Sequence, residues 1–340
     1  MPDLLVHILA LAGGIALLLV GGDVLVRGAV ALAARLGVAP LVVGMTVVAF
    51  GTSAPELAFN VAAAAKGSPG LSFGNVVGSN IANIGLILGI SALCKPLLVH
   101  SSVIKRELPF MCIVTLLAGV LLMFPFPERG LFGSGPGLSR IDAIIMLACF
   151  VFFLAMTIRS ALKDDDESPF AKEVKDTVGT GDSDDAKVMP LWRAILFVVL
   201  GLAGLVGGGQ LAEIGATGIA RSMGWTDEFI GLTVVAIATS LPELATGLIA
   251  IRKGHVDIAV GNVVGSNIFN LALVFGVTGL VAPIELPAMG AETIIAMVVL
   301  SLLLIPFSRT SGRTLSRAEG SVLLLLYAGL MGHQVWVALS

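Results

Sequence analysis

The chain has 340 residues; 56% are hydrophobic, 13% are charged, the mean hydropathy is +1.00 and the formal net charge is −3. A soluble domain carries about twice that share of charge, and a nucleic-acid binder carries a basic cluster that this sequence lacks; both classes are excluded. No nucleophile–base set or nucleotide-binding loop points to an enzyme, and apolar stretches of about 20 residues, enough to cross a bilayer, recur from end to end.

The pattern predicts an all-α integral membrane protein with ten spans, at roughly 4–26, 38–64, 70–93, 106–126, 140–160, 191–219, 228–251, 256–281, 288–307 and 318–338. The first has no basic segment before it, and Gly21-Gly22-Asp23 is a poor cleavage site, so it reads as a mature helix rather than a signal peptide. The second carries Gly44-Met45-Thr46-Val47-Val48-Ala49-Phe50-Gly51-Thr52-Ser53-Ala54-Pro55-Glu56, and the third Gly74-Asn75-Val76-Val77-Gly78-Ser79-Asn80-Ile81-Ala82-Asn83. Cys94, Cys112 and Cys149 fall in or beside apolar segments without metal-ligand spacing and read as packing residues. Between the fifth and sixth spans, residues 162–190 include Asp164-Asp165-Asp166-Glu167 and Asp182-Ser183-Asp184-Asp185. That stretch is polar and acidic, and it reads as a flexible linker. Asp23 and Glu213 read as solvated near helix ends or locally paired; Asp257 and Glu319 read as caps at helix starts.

The seventh and eighth spans repeat the second and third. Gly231-Leu232-Thr233-Val234-Val235-Ala236-Ile237-Ala238-Thr239-Ser240-Leu241-Pro242-Glu243 matches the first block at 9 of 13 positions, and Gly261-Asn262-Val263-Val264-Gly265-Ser266-Asn267-Ile268-Phe269-Asn270 matches the second at 9 of 10, all at an offset of 187. Gly21, Gly28, Gly37 and Pro96 find copies in Gly208, Gly215, Gly224 and Pro283 at the same offset. Five spans separate a position from its copy. An odd number inverts the copies across the bilayer. The domain reading is therefore a five-helix repeat at 1–161 with its motif at 44–83, the linker at 162–190, and a second five-helix repeat at 191–340 with its motif at 231–270. With the N-terminus outside, 16 of the 20 basic residues fall in cytoplasmic loops and 4 in outer ones. This follows the positive-inside rule and predicts both termini outside and the linker in the cytoplasm.

Each motif places a glutamate after a proline inside an apolar span. An ionisable group there is costly unless it is paired or hydrated. Pro55 and Pro242 have no N–H, which frees the carbonyls of Gly51 and Ala238 and bends the helix; those of Ala49, Thr52, Ala236 and Thr239 should be displaced with them. Thr52, Ser53, Thr239 and Ser240 add hydroxyls. Carboxylate, carbonyl and hydroxyl oxygens are hard donors that suit Na+ and Ca2+, and the absence of Cys and His from both motifs argues against zinc or copper. Asn75, Ser79 and Asn83, and again Asn262, Ser266 and Asn270, lie at i, i+4, i+8 on one helix face. The glycines between them should let another helix approach closely. Inverted copies that face each other would bring Glu56 and Glu243 together; without a cation, one of two such carboxylates should take a proton.

These two blocks resemble the α-repeats of the cation/calcium exchanger superfamily, the membrane sodium/calcium exchangers, and the size resembles the compact prokaryotic members. The resemblance covers about 20–96 and 207–283 at motif level. It implies a central calcium site from Glu56, Glu243 and the backbone oxygens of Thr52 and Thr239. It implies flanking sodium sites using Ala49, Ser53, Ser79, Ala236, Ser240 and Ser266, with Asn83 and Asn270 at the centre. It also implies that the first and sixth spans slide over the other eight. Two departures stand out: Ala238 replaces the usual glycine, which should restrict the bend, and Asn270 replaces an aspartate of potassium-dependent relatives, which argues against potassium co-transport. The expected function is Ca2+/Na+ antiport in the cell membrane, with Ca2+/H+ antiport or a cation channel as alternatives. No cofactor and no nucleic-acid partner are expected, and nothing in the sequence assigns an oligomeric state.

Overall fold

The structure, a computed structural model, describes residues 2–67, 69–124, 136–163, 189–225, 236–287, 289–310 and 312–339. The helices in chain order are α1 Pro2–Leu36, α2 Pro40–Thr52, α3 Ala54–Ala65, α4 Leu71–Cys94, α5 Val103–Met123, α6 Arg140–Lys163, α7 Leu191–Ser222, α8 Ala236–Thr239, α9 Leu241–Arg252, α10 Val256–Val281, α11 Gly290–Phe307 and α12 Arg317–Leu339. Among the described residues eight are long and apolar enough to cross a membrane, or nine if α2 and α3, bent by 40°, count as one broken span. The predicted span 228–251 is present as α8 and α9; residues 226–235 lie outside the described set, as do linker residues 164–188.

The chain is thus an all-helical membrane protein. One predicted boundary is wrong: α1 runs to Leu36, not 26. The charges that suggested an end are accommodated on the helix. Asp23 pairs with Arg27 one turn on at 2.8 Å and with Lys253 at 2.5 Å, and Arg35 donates to the Met189 carbonyl at 2.7 Å. The real stop is Gly37, at φ +68°, with Val38 N–H bonded back to Ala33 O at 3.1 Å. Its copy Gly224, at φ +84°, ends α7 in the same way, with Trp225 N–H bonded to Ala220 O at 3.2 Å. Only glycine takes this left-handed cap without strain.

The correspondence of the halves extends further than the motifs. Strand β1, Leu97–Leu98, follows α4; its copy β3, Ile284–Glu285, follows α10. Each pairs antiparallel with a strand that leads into the fifth helix of one half: β1 with β4, Thr314–Leu315, and β3 with β2, Gly137–Leu138. The helices that follow start with the same cap. Ser139 and Asp142 exchange bonds across α6's first turn, Asp142 accepting from Ser139 N–H at 2.9 Å, and Ser316 and Glu319 do so at α12 at 2.7 Å. This reciprocal cap satisfies the free N–H groups of a helix start. It bears out the reading of Glu319 as a cap and places the fifth helices at an offset of 177 rather than 187.

α1 and α7 lie against each other along their length. Gly14, Gly21 and Gly28 on one and their copies Gly201, Gly208 and Gly215 on the other recur every seven residues and form the seam. A β-carbon on Gly14 would lie 2.8 Å from the Gly208 carbonyl oxygen, and one on Gly208 would lie 2.9 Å from that of Gly14. Close backbone approach through small residues is how membrane helices gain van der Waals contact where lipid offers no hydrophobic drive. The pair lies across both broken spans: Gly22 faces Ala245 and Ile249 of α9, Gly209 faces Pro242, and the Leu202 side chain fills the space beside Gly51.

Candidate cation-binding site

Both broken spans break at the serine before the glutamate motif's proline. Ser53 has φ −88°, ψ 0° and Ser240 has φ −92°, ψ 2°, a sparsely populated region that active-site residues often occupy. Proline then stands second in the next helix, in the first turn, where its missing N–H costs nothing. Glu56 falls in the first turn of α3 and Glu243 in the first turn of α9. Each carboxylate therefore sits at the positive end of a short helix, which offsets part of its charge. Ala238 does not alter this geometry, contrary to expectation. At Gly51 the Leu202 side chain of α7 occupies the space that a β-carbon would need, whereas Ala238 is buried with its methyl in place.

The halves then pack crosswise. α3, with Glu56, lies against the π-helical turn Phe269–Val274 that holds Asn270. α9, with Glu243, lies against the matching π turn Asn83–Leu88, which starts at Asn83. The segment Ala49–Thr52 packs on α10, and α8 packs on α4. π turns insert an extra residue and re-aim side chains, often at functional sites. Gly261 and Gly265 admit α2: a β-carbon on Gly265 would lie 2.6 Å from the Met45 carbonyl oxygen and 2.7 Å from the Ala49 β-carbon. The counterparts expected against Gly74 and Gly78 fall at 228–236, largely outside the described residues.

At the crossing, Glu56 is 2% and Glu243 1% exposed. Each half reaches into the other. Glu56 lies within Coulombic range of Glu243, Glu243 interacts with the Thr52 hydroxyl, and Thr52 Oγ1 donates to Asn262 Oδ1 at 3.2 Å. Among the described residues no Lys, Arg or His pairs with either carboxylate, and none of their oxygens makes a hydrogen bond of good geometry. Ser53 Oγ, Ser240 Oγ, Ser266 Oγ, Asn270 Oδ1 and both polar atoms of Asn83 are likewise buried without partners. Such a concentration of orphaned oxygens is unfavourable unless something else binds them, since unpaired buried charge is far costlier than paired. Glu107, another buried carboxylate, shows the contrast: it lies on α5, outside the motifs, and has a cationic partner, its Oε1 accepting from Arg106 Nε at 2.6 Å.

Of the residues read from the sequence, Thr52, Ser53, Glu56, Ser79, Asn83, Ser240, Glu243, Ser266 and Asn270 are buried, as is Ala49, and Thr239 is half-buried. The side chain of Ala236 lies outside the described set. Two polar positions were missed. Asn60, one turn past Glu56, donates to the Glu56 carbonyl at 2.6 Å and to Asn75 Oδ1 at 2.7 Å; its copy is Gly247, so the repeat gave no signal for it. Asn80 and its copy Asn267 lie inside the duplicated block but off the i, i+4, i+8 face, and they join α4 to α10. Their duplication was the available signal. The mismatch in that block, Ala82 against Phe269, supplies an aromatic wall: Phe269 meets Phe50 at 5.8 Å and Phe150 at 5.0 Å between ring centroids.

Comparison with known proteins gives the family and the fold. A family model described as sodium/calcium exchanger protein matches residues 6–159 and 193–336, one segment in each half. The chain is 39% identical over 259 residues to the putative antiporter CaxA of Alkalimonas amylolytica, covering 75% of this chain and 76% of that protein. It is 32% identical over 346 residues to the sodium/calcium exchanger MaX1 of Methanosarcina acetivorans, covering 96% and 97%. A solved structure of the sodium-calcium exchanger NCX_Mj, soaked with zero Na+ and Ca2+, superposes with a TM-score of 0.80 at 29% identity, covering 97% of this chain and 99% of that one.

Proposed function

Because the chain belongs to the sodium/calcium exchanger family, we propose that it is a secondary antiporter that exports Ca2+ from the cell in exchange for inward Na+. The observation that carries the proposal is the meeting of two unpaired buried carboxylates, Glu56 and Glu243, from opposite halves of the chain. Two full charges match a divalent cation, and neutral oxygens complete a shell of the hard donors that calcium prefers. In this reading Thr52 and Thr239 contribute backbone oxygens to Ca2+. Ala49, Ser53, Ser79, Ala236, Ser240 and Ser266 line flanking Na+ sites, with Asn83 and Asn270 between them. Occupation by Na+ and by Ca2+ is mutually exclusive because both need the same two charges. That competition is what couples the two fluxes.

Alternating access follows from the position of the α1–α7 pair across both broken spans. Sliding of that pair over the remaining helices would uncover the site from one side and then the other, as expected for a site held between inverted repeats. The charge distribution supports a cytoplasmic linker with both termini outside, in the cell membrane. The same carboxylates can also bind protons, which makes Ca2+/H+ exchange the second reading. Uptake of ⁴⁵Ca2+ into proteoliposomes under imposed Na+, K+ or H+ gradients, one at a time, separates them. The Na+ reading expects uptake with an outward Na+ gradient alone, and uptake driven only by a pH gradient would replace it with the H+ reading.

A further inference from the structure

α4 and α10 meet where a residue touches its own copy. Asn80 donates through Nδ2 to the backbone carbonyl of Asn267, 187 positions on, at 3.3 Å. A carbonyl can only accept, so this bond fixes which end of the Asn80 amide is nitrogen. Asn80 Oδ1 then faces the Asn270 side chain, 3.2 Å away. That oxygen also can only accept, so Asn270 must offer its Nδ2. The remaining atom, Asn270 Oδ1, is turned away from Asn80, buried and without a partner. It lies on the π turn that packs against the Glu56 helix. One backbone carbonyl thus sets two amide orientations in series.

The other half lacks this relay. Asn267 turns its Nδ2 to the Val263 carbonyl of its own helix at 2.7 Å, and both polar atoms of Asn83 are unpartnered. We propose that Asn80 is a positioning residue: it holds Asn270 with its carbonyl oxygen toward the bound cation and its NH2 away, while Asn83 is free to turn. The proposal rests on the cation site described above. A reversed Asn270 amide would point hydrogens at a cation, so the relay decides whether position 270 attracts or repels it. Asn80 spends both ends of its amide on α10, so it is not itself a ligand.

A double-mutant cycle tests this on the purified full-length protein. Asn80→Ala, Asn270→Ala and the double variant are compared for Ca2+ binding by calorimetry in detergent, with the ion-free melting temperature recorded for each. Loss of one oriented hydrogen bond predicts Asn80→Ala binding weaker by roughly 3–10-fold. If Asn80 acts only through Asn270, the double variant binds no more weakly than Asn270→Ala alone. Losses that multiply, or unchanged binding in Asn80→Ala, overturn the proposal; a purely structural role would lower the melting temperature without this coupling. Should Asn80→Ala fail to fold, Asn80→Leu, which keeps the volume of the side chain but offers no acceptor to Asn270, is run through the same cycle against the same two outcomes. Because the readout is binding, an unmodified protein that binds Ca2+ but moves none overturns the exchange reading alone.

Discussion

Asp23 of α1 and Lys253 at the end of α9 form an ion pair at 2.5 Å, whereas the copies of these residues, Gln210 and Lys66, cannot form one. The pair ties the glycine-seamed α1–α7 unit to the short helix that carries Glu243, on the linker side only. A half-exposed pair is worth about 0–1 kcal/mol. If it parts when the linker side opens, Asp23→Asn should favour that open state. The expected result is a KM for Ca2+ lowered on the linker side and raised on the opposite side, by up to about fivefold. Inside-out and right-side-out vesicles measure both. Unchanged values on both faces would mean that the pair stays joined through the cycle.

Glu56→Gln and Glu243→Gln should each abolish Ca2+ exchange while leaving the protein folded, since Gln keeps the shape of the side chain. Removing one charged partner from a buried pair costs on the order of 3–5 kcal/mol, a loss of roughly 10²–10³ or more in affinity. Because the motif is duplicated and each half supplies one carboxylate, the two losses should be similar and the double variant should add little to either. Glu213→Gln, on α7 and outside both motifs, should be much milder. Gradient-driven ⁴⁵Ca2+ uptake by monodisperse variants is the measurement, and near-normal transport by either motif variant would dissolve the shared site.

Transport by the unmodified chain should not require K+, because position 270 carries an amide rather than a carboxylate. Asn270→Asp should strengthen cation binding or alter ion dependence. It also removes the N–H that Asn80 Oδ1 accepts from. Two acceptors then face each other unless Asn80 turns and gives up its bond to Asn267. That should lower the ion-free stability by about 1–3 kcal/mol and be recovered when a cation binds. Calcium flux that stops without K+ in the unmodified protein would contradict this account of Asn270.

The 16-to-4 distribution of basic residues predicts that the 162–190 linker faces the cytoplasm and Ser340 the outside. In intact cells, Asp182→Cys should resist a membrane-impermeant thiol reagent, and Ser340→Cys should react. The reverse labelling pattern would invert the molecule in the membrane.

The duplication made the candidate site legible, because a costly residue placed twice at one offset calls for a shared reason. Glu56 and Glu243, their prolines and the polar stripes on the facing helices all followed from it. What the offset could not reach lay where the halves differ. Asn60 has Gly247 as its copy, so nothing repeated. The fifth helices correspond at 177, and a search at 187 passes over Ser139–Asp142 and Ser316–Glu319 although both are capping pairs. The length of α1 was misread because Asp23, Arg27 and Arg35 resemble a helix end until their partners, Lys253 and Met189, are brought near by the fold. The π turns that start at Asn83 and Phe269 lie inside apolar runs with no proline to mark them in the sequence.

The bond between Asn80 and its own copy marks where the molecule's approximate two-fold axis passes. In an assembly of two identical chains, any change beside such an axis would occur on both sides at once. Here both sides belong to one chain, and Asp23 with Gln210, Gly51 with Ala238, and Asn60 with Gly247 have already parted. A machine that must work between two unequal solutions gains from that freedom, because the hold on ions at one face can be adjusted while the other is left as it is.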